Sequence, residues 1–121
     1  MVCLDGEKMS KSLGNLVFVG DLLKEHEAAV VRLALLGHHY RSDWEWDSTD
    51  LDRASSRLDR WRAASGSGRG RDAAAVSPAL EEVRRHLDDD LDVPGALDVL
   101  DELASGGQPV GQGAALLGVT L

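Results

Sequence analysis

Residues 2–19 read Val-Cys-Leu-Asp-Gly-Glu-Lys-Met-Ser-Lys-Ser-Leu-Gly-Asn-Leu-Val-Phe-Val, and this stretch decides the architecture. Met1 to Leu4 reads as a short buried strand, stopped by the breaker pair Asp5-Gly6. A lysine- and serine-rich loop then runs to Gly14-Asn15, and Leu16 to Val19 is a second short apolar run rich in β-formers. No element precedes the first run, so its edge is expected to be unpaired.

Beyond Gly20 the signals are helical. Asp21 is the expected N-cap of a helix from Leu22 to His26. Ala28 to Leu36 (AAVVRLALL) is apolar except for Arg32, the pattern of a helix covered on both sides. The sequence has little material left with which to cover it, so a neighbour outside this chain is expected. Gly37 is the C′ candidate, and residues 38–46 read as irregular. Ser48 or Thr49 caps a helix with the stripe Leu51, Ala54, Leu58 and Trp61. A flexible linker is expected at about 65–76, beginning with SGSGRGR. Ser77 then caps a helix with Pro78 at its first position, Glu81 nearby, and Leu80, Val83 and Leu87 inward. Asp92 and Pro94 open another, with Leu97, Leu100 and Leu103 inward and Gly106-Gly107 at its end. Ala114 to Leu121 is a short apolar tail.

The composition agrees with this reading. Hydrophobic residues make up 43%, enough for a core, while aromatics at 4% leave it to Leu, Val and Ala, which favours helices. The expected class is mainly α: a short β-strand and loop followed by a helical bundle. A net charge of −8 argues against a nucleic-acid-binding module, which needs clustered Lys and Arg. One cysteine, Cys3, excludes an internal disulfide and a thiolate zinc cluster. No leader is read in Met1 to Gly6, and no run approaches the ~20 apolar residues needed to span a bilayer. A cytoplasmic protein without a membrane partner is expected.

The loop carries the chemistry. Lys8 and Lys11, close in a tight turn, can bring two ammonium groups to one side; Ser10 and Ser12 add hydroxyl donors. Gly6 and Gly14 give the loop freedom to close over a nucleotide. These groups suit the attack of a carboxylic acid on the α-phosphate of ATP, where charge gathers on the departing pyrophosphate. No Walker A string is present.

EKMSKSLGN, Glu7 to Asn15, is similar to the second signature of class I aminoacyl-tRNA synthetases. LLGHHYRS, Leu35 to Ser42, resembles the segment after the loop helix in cysteinyl-tRNA synthetases. Asp43-Trp44-Glu45-Trp46 departs from those enzymes and resembles a sister family, the cysteine:glucosaminyl-inositol ligases of mycothiol synthesis. Residues 2–19 and the closing Leu116 to Leu121 (LLGVTL) point the same way, as does the lack of an anticodon-binding domain; the likeness is weakest across Ala64 to Ser77.

The resemblance implies that Lys8, Met9, Ser10, Lys11 and Ser12 form the ATP-binding loop, with Lys8 and Lys11 catalytic. It also implies that Val2 lies on the strand bordering the adenylate. In the family, the HIGH-type signature, the zinc that binds the cysteine thiol and the amino-acid pocket lie upstream. No zinc ligand is therefore expected in this sequence, and the chain alone is expected to be inactive. Its partners are then an N-terminal catalytic half, fused or separate, and, in the complete enzyme, cysteine and glucosaminyl-inositol. Residues 1–20 would close the catalytic domain, 21–46 would connect, and 47–121 would form the bundle. Cys3 stands where the family usually has a small residue, and Lys24 to Ala29 lacks the family's Asp-Pro helix start. The rival readings are a fragment of cysteinyl-tRNA synthetase and, from another class, a non-catalytic interaction module or truncated gene product.

Other residues have blander readings. His38 and His39 are adjacent and diverge, so they are expected with Tyr40 and Arg41 at a junction, Arg41 pairing with an acid of the catalytic domain. Trp44 and Trp46 read as packing anchors rather than base-stacking platforms. Asp88-Asp89-Asp90 lacks EF-hand spacing and reads as a solvated helix end. Cys3 has no arranged His or Asn support for nucleophilic work.

Overall fold

The structure is a computed structural model that describes residues 1–66 and 78–121. Most of the expected linker, and the Ser77 cap, lie outside the described residues. Strand β1 (Val2–Leu4) turns through Asp5-Gly6 into β2 (Glu7–Lys8), with Cys3 opposite Lys8 and Leu4 opposite Glu7. Asp5 and Gly6 take φ values of 51° and 81°, the left-handed pair that a two-residue hairpin needs to match the strand twist. A third strand, β3 (Trp44–Glu45), runs parallel to β1 on its other side, pairing Val2 with Trp44 and Cys3 with Glu45. The expected open edge of β1 is therefore corrected: it is the central strand, in the order β2-β1-β3. Its partner was illegible because two residues carry no alternation to read.

Leu16 to Phe18 form no strand either. Helix α1 (Val19–Leu22) starts with Phe18 at its N-cap, so Asp21 lies inside the first turn, where a carboxylate favours the helix dipole, rather than capping it.

Helix α2 (Ala28–Leu36) buries Val30, Val31, Leu33 and Ala34. It packs on α3 (Ser48–Gly66), and the C-terminal residues Leu117 and Val119 belong to the same core. The expected outside neighbour is thus largely replaced by the chain itself; Leu35, at 45% exposure, is what remains open. Arg32, the one charge in the apolar run, reaches the tail: its Nε donates to the Leu117 carbonyl at 2.7 Å. Gly118 follows at φ 72°, and a Cβ there would stand 2.5 Å from the Arg32 guanidinium. Gly37 caps α2 in the right-handed region (φ −63°), not as a left-handed C′.

The cap of α3 is Asp47, one residue before the expected Ser48: its Oδ1 accepts from the Thr49 N–H at 2.9 Å, and its own N–H reaches Asp50 at 3.4 Å. The stripe Leu51, Ala54, Leu58 and Trp61 is buried as its spacing predicts. Ser65 and Gly66, expected in the linker, close α3. Trp61 is wholly buried and donates through Nε1 to Asp101 at 2.8 Å. Asp101 also takes the Arg57 guanidinium at 3.0–3.1 Å.

Pro78 opens α4 (Pro78–Asp88), and Asp92 caps α5 (Val93–Ser105) by accepting from the Gly95 N–H at 3.1 Å. His86 Nδ1 meets the other Asp92 oxygen at 2.8 Å, bracing the corner between the two helices. Gly106-Gly107 ends α5, Gly107 at φ 73°, with the Gln108 N–H returning to the Leu103 carbonyl at 2.9 Å. The tail forms α6 (Gly111–Leu116), and Val110, Ala114, Leu117 and Val119 join the core. Among the described residues the chain is mainly α, and no helix is long and apolar enough to cross a membrane.

Gly95 is fixed by its surroundings, since a Cβ there would lie 2.3 Å from Asp92 Oδ2 and 2.5 Å from His86 Nδ1. Gly95→Ala must push both side chains aside, and should lower unfolding free energy in urea by about 1–3 kcal/mol despite the better helix propensity of alanine.

Three carboxyls are held below their ordinary range: Asp92 by His86 and then the Gly95 N–H, Glu27 by the Arg62 guanidinium, and Asp47 by the Thr49 N–H. A depressed folded-state value means the contribution is full above the unfolded-state value and is lost as pH falls through the folded one. The urea midpoint should therefore drop as pH is lowered below about 4, and Asp92→Asn should flatten that part of the profile.

Candidate functional site

The hairpin delivers the lysine loop, and the loop is closed by its own backbone and one amide. The Met9 N–H donates to the Val2 carbonyl at 3.0 Å, tying the loop's start to β1. Asn15 Oδ1 accepts from the Ser10 N–H at 2.8 Å while its Nδ2 donates to the Lys8 carbonyl at 3.2 Å. Within that clasp, the Gly14 N–H reaches the Ser10 carbonyl at 3.2 Å, and the Leu13 N–H reaches Ser10 Oγ at 3.2 Å. Gly14 sits at φ 70°, a conformation that residues with a Cβ rarely adopt.

Every residue expected at the site thus falls in one unit: Val2 on β1, Lys8 on β2, and Met9, Ser10, Lys11 and Ser12 in the loop. Lys8, Lys11 and Ser12 are exposed; Val2, Met9 and Ser10 are half-buried. Among the described residues neither lysine ammonium is paired, so both are open to an anion. Ser10 Oγ already accepts from Leu13 and lies 3.3 Å from Ser12 Oγ, so its role in shaping the turn accompanies any role toward a ligand. Two residues were not singled out from the sequence. One is Asn15, whose amide carries both the donor and the acceptor that the clasp needs. The other is Glu45, whose Oε1 accepts from the Gly6 N–H at the hairpin tip. Asn directly after a left-handed Gly was the available signal for the first; nothing in the sequence signalled the second.

Behind the sheet, the His38 ring stacks on Trp44 at 3.8 Å with planes 6° apart, and His38 Nε2 stands 3.5 Å from the buried carboxylate of Asp50. Trp46 packs against the core, as an anchor should. His39 Nε2 meets the Asp90 carbonyl at 3.1 Å, so the two imidazoles diverge. Tyr40 donates to the Asp90 carboxylate, and Arg41 Nε stands 3.2 Å from it. The expected partner of Arg41 in another domain is corrected: the acid is Asp90 of this chain, held at φ 52° in the α4–α5 corner. For the same reason Asp90 is not merely a solvated helix end. Among the described residues no three His, Cys, Asp or Glu are placed to hold a metal ion.

A β-hairpin that presents an anchored lysine loop, joined to a helical bundle, is the arrangement of a class I synthetase-type chain. The profile of the tRNA synthetases class I (C) catalytic domain family matches residues 1–56. The L-cysteine:1D-myo-inositol 2-amino-2-deoxy-alpha-D-glucopyranoside ligase of Streptosporangium roseum is 53% identical, covering 100% of this chain and 32% of the relative. The ligase of the same name from Thermomonospora curvata is 60% identical over 86% of this chain and 25% of its own length. That of Streptomyces coelicolor is 51% identical over 100% and 32%. The chain is similar to these cysteine ligases over the matched length, and it spans about a quarter to a third of the length of the curated relatives it matches.

If Asn15 holds the loop closed, Asn15→Ala should speed tryptic cleavage after Lys8 and Lys11 in the folded chain by about three- to tenfold, the loss of one or two local hydrogen bonds. Asn15→Asp, which keeps the acceptor for Ser10 and loses the donor to Lys8, should fall between. Mass spectrometry of timed digests reads both sites.

Proposed function

We propose that this chain supplies the phosphate-facing loop of an ATP-dependent ligase that activates cysteine as cysteinyl-adenylate and passes it to the amine of glucosaminyl-inositol. The observation that carries the reading is the pair of ammonium groups, Lys8 and Lys11, unpaired among the described residues, on a loop clasped at both ends in a chain of net charge −8. Cationic groups fixed where charge develops stabilise a transition state more than the ground state.

As the cysteine carboxylate attacks the α-phosphate, negative charge moves onto the departing pyrophosphate. Lys8 and Lys11 offset it, the Ser10 and Ser12 hydroxyls donate to phosphate oxygens, and the Met9 backbone and Val2 border the nucleotide. Ser10 keeps its hydroxyl proton for this, because its contact with Leu13 uses only a lone pair. Residues 1–20 then complete a catalytic domain, 21–46 connect, and 47–121 form the bundle. The cysteine pocket, and the zinc that holds its thiol, belong to the remainder of the enzyme. A glucosaminyl-inositol acceptor rather than tRNA is supported by the names of the relatives and by the acidic charge balance. ATP as cosubstrate supports a cytoplasmic setting.

Cysteine-dependent ATP–pyrophosphate exchange tests this. The chain alone should stay at background. In the complete enzyme Lys11→Ala should lower the exchange rate by ~10²–10³ with little change in the KM for cysteine. A variant that loses cysteine affinity and keeps the rate would overturn the assignment.

A further inference from the structure

We propose that Glu45 is a positioning residue for the signature loop, acting through the Gly6 amide; its relevance to catalysis rests on the phosphate role of Lys8 and Lys11. The β1–β2 hairpin has only two residue pairs in register, and a two-stranded ribbon of that size does not hold itself in water. The parallel strand β3 holds it from the other side, through the Trp44 N–H on the Met1 carbonyl at 3.0 Å and the Trp46 N–H on the Cys3 carbonyl at 2.7 Å. These bonds reach the base of the hairpin and stop short of its tip.

Glu45 reaches the tip. It lies opposite Cys3 in the sheet, and its carboxylate accepts from the Gly6 N–H in the turn that leads into Lys8. A carboxylate acceptor makes such a bond stronger than one between neutral groups. Neighbouring strand residues point to opposite faces. Trp44 therefore turns to the bundle, stacking on His38, whose Nε2 stands 3.5 Å from Asp50 at the head of α3, while Glu45 serves the turn. A continuous set of contacts runs from α3 to the hairpin turn, and Glu45 supplies the one side-chain hydrogen bond to the Gly6 backbone found among the described residues.

The test is NMR on the 121-residue chain and its Glu45→Ala and Glu45→Gln variants. In Glu45→Ala, amide exchange at Gly6 should speed up by about three- to tenfold. Residual dipolar couplings of the Cys3 and Met9 amides should cease to fit the alignment of α3. Exchange in α3 and α5 should not change. Glu45→Gln, which retains the acceptor oxygen, should restore most of the Gly6 protection. Unchanged Gly6 exchange and couplings in Glu45→Ala, or a loss in Glu45→Gln equal to that in Glu45→Ala, would overturn the proposal. Inorganic pyrophosphate added to the same samples reads the functional assignment separately. Shifts at Lys8 and Lys11 that weaken in Glu45→Ala support both claims. No shifts in the wild-type chain would remove the phosphate role, and with it the catalytic relevance of Glu45.

Discussion

A buried indole cannot leave its N–H without an acceptor, and that requirement at Trp61 organises the helices. Trp61 is wholly enclosed, so its Nε1–H needs a partner at a fixed place, and Asp101 on α5 provides it. A carboxylate so placed needs a counter-charge, and Arg57, one turn earlier on α3, supplies it from the same face. Arg57 and Asp101 are 22% and 23% exposed, enough solvent to keep their ion pair modest in energy. Its larger effect is on geometry: with three groups to satisfy, α3 and α5 have one sliding register in which both the indole and the carboxylate are served. The α4 corner, the tail and α2 then pack against a pair of helices whose relative position is already set.

The sheet depends on that frame rather than on itself. Each of its strands is two or three residues long, far too short to bury an independent core. It is attached through aromatic and polar contacts, Trp44 on His38 and His38 beside Asp50, and through Trp46 in the core. The division of labour follows. A rigid set of helices carries a small hairpin, and the hairpin carries a loop of exposed cationic and hydroxyl groups whose shape is held by Asn15 and Gly14. A loop of this kind can move without disturbing the apolar packing, which is what closure over a nucleotide demands.

What the sequence disclosed follows from how local each signal is. The stripe from Leu51 to Trp61, the Asp92 cap and the Gly106-Gly107 stop depend on neighbours within a turn or two, and all stand as read. The loop with its lysines was equally legible, because Gly14 and Asn15 mark its end within the same short string. Misreadings came where the partner is remote. Strand β1 read as open because β3 is two residues embedded in a polar stretch. Leu16 to Val19 read only as a run of β-formers, because β-branched residues in a short apolar run do not distinguish a strand from a first helical turn. Helix α2 read as needing an outside neighbour because its cover, Leu117 and Val119, is too brief to have a period. The role of Glu45 was closed to sequence reasoning altogether, since it depends on a parallel register that only the fold reveals.

The bond from Arg32 to the Leu117 carbonyl spans 85 positions of sequence. A ribosome releases α2 long before it releases the residues that cover it. Through that interval Val30, Val31 and Leu33 have only part of their final surroundings, and closing so distant a contact costs loop entropy before it returns any stability. The nascent chain therefore passes through a stage with an apolar helix face in water, the kind of surface that holdase chaperones recognise. Gly118, with no Cβ to meet the Arg32 guanidinium, leaves the room in which that contact closes.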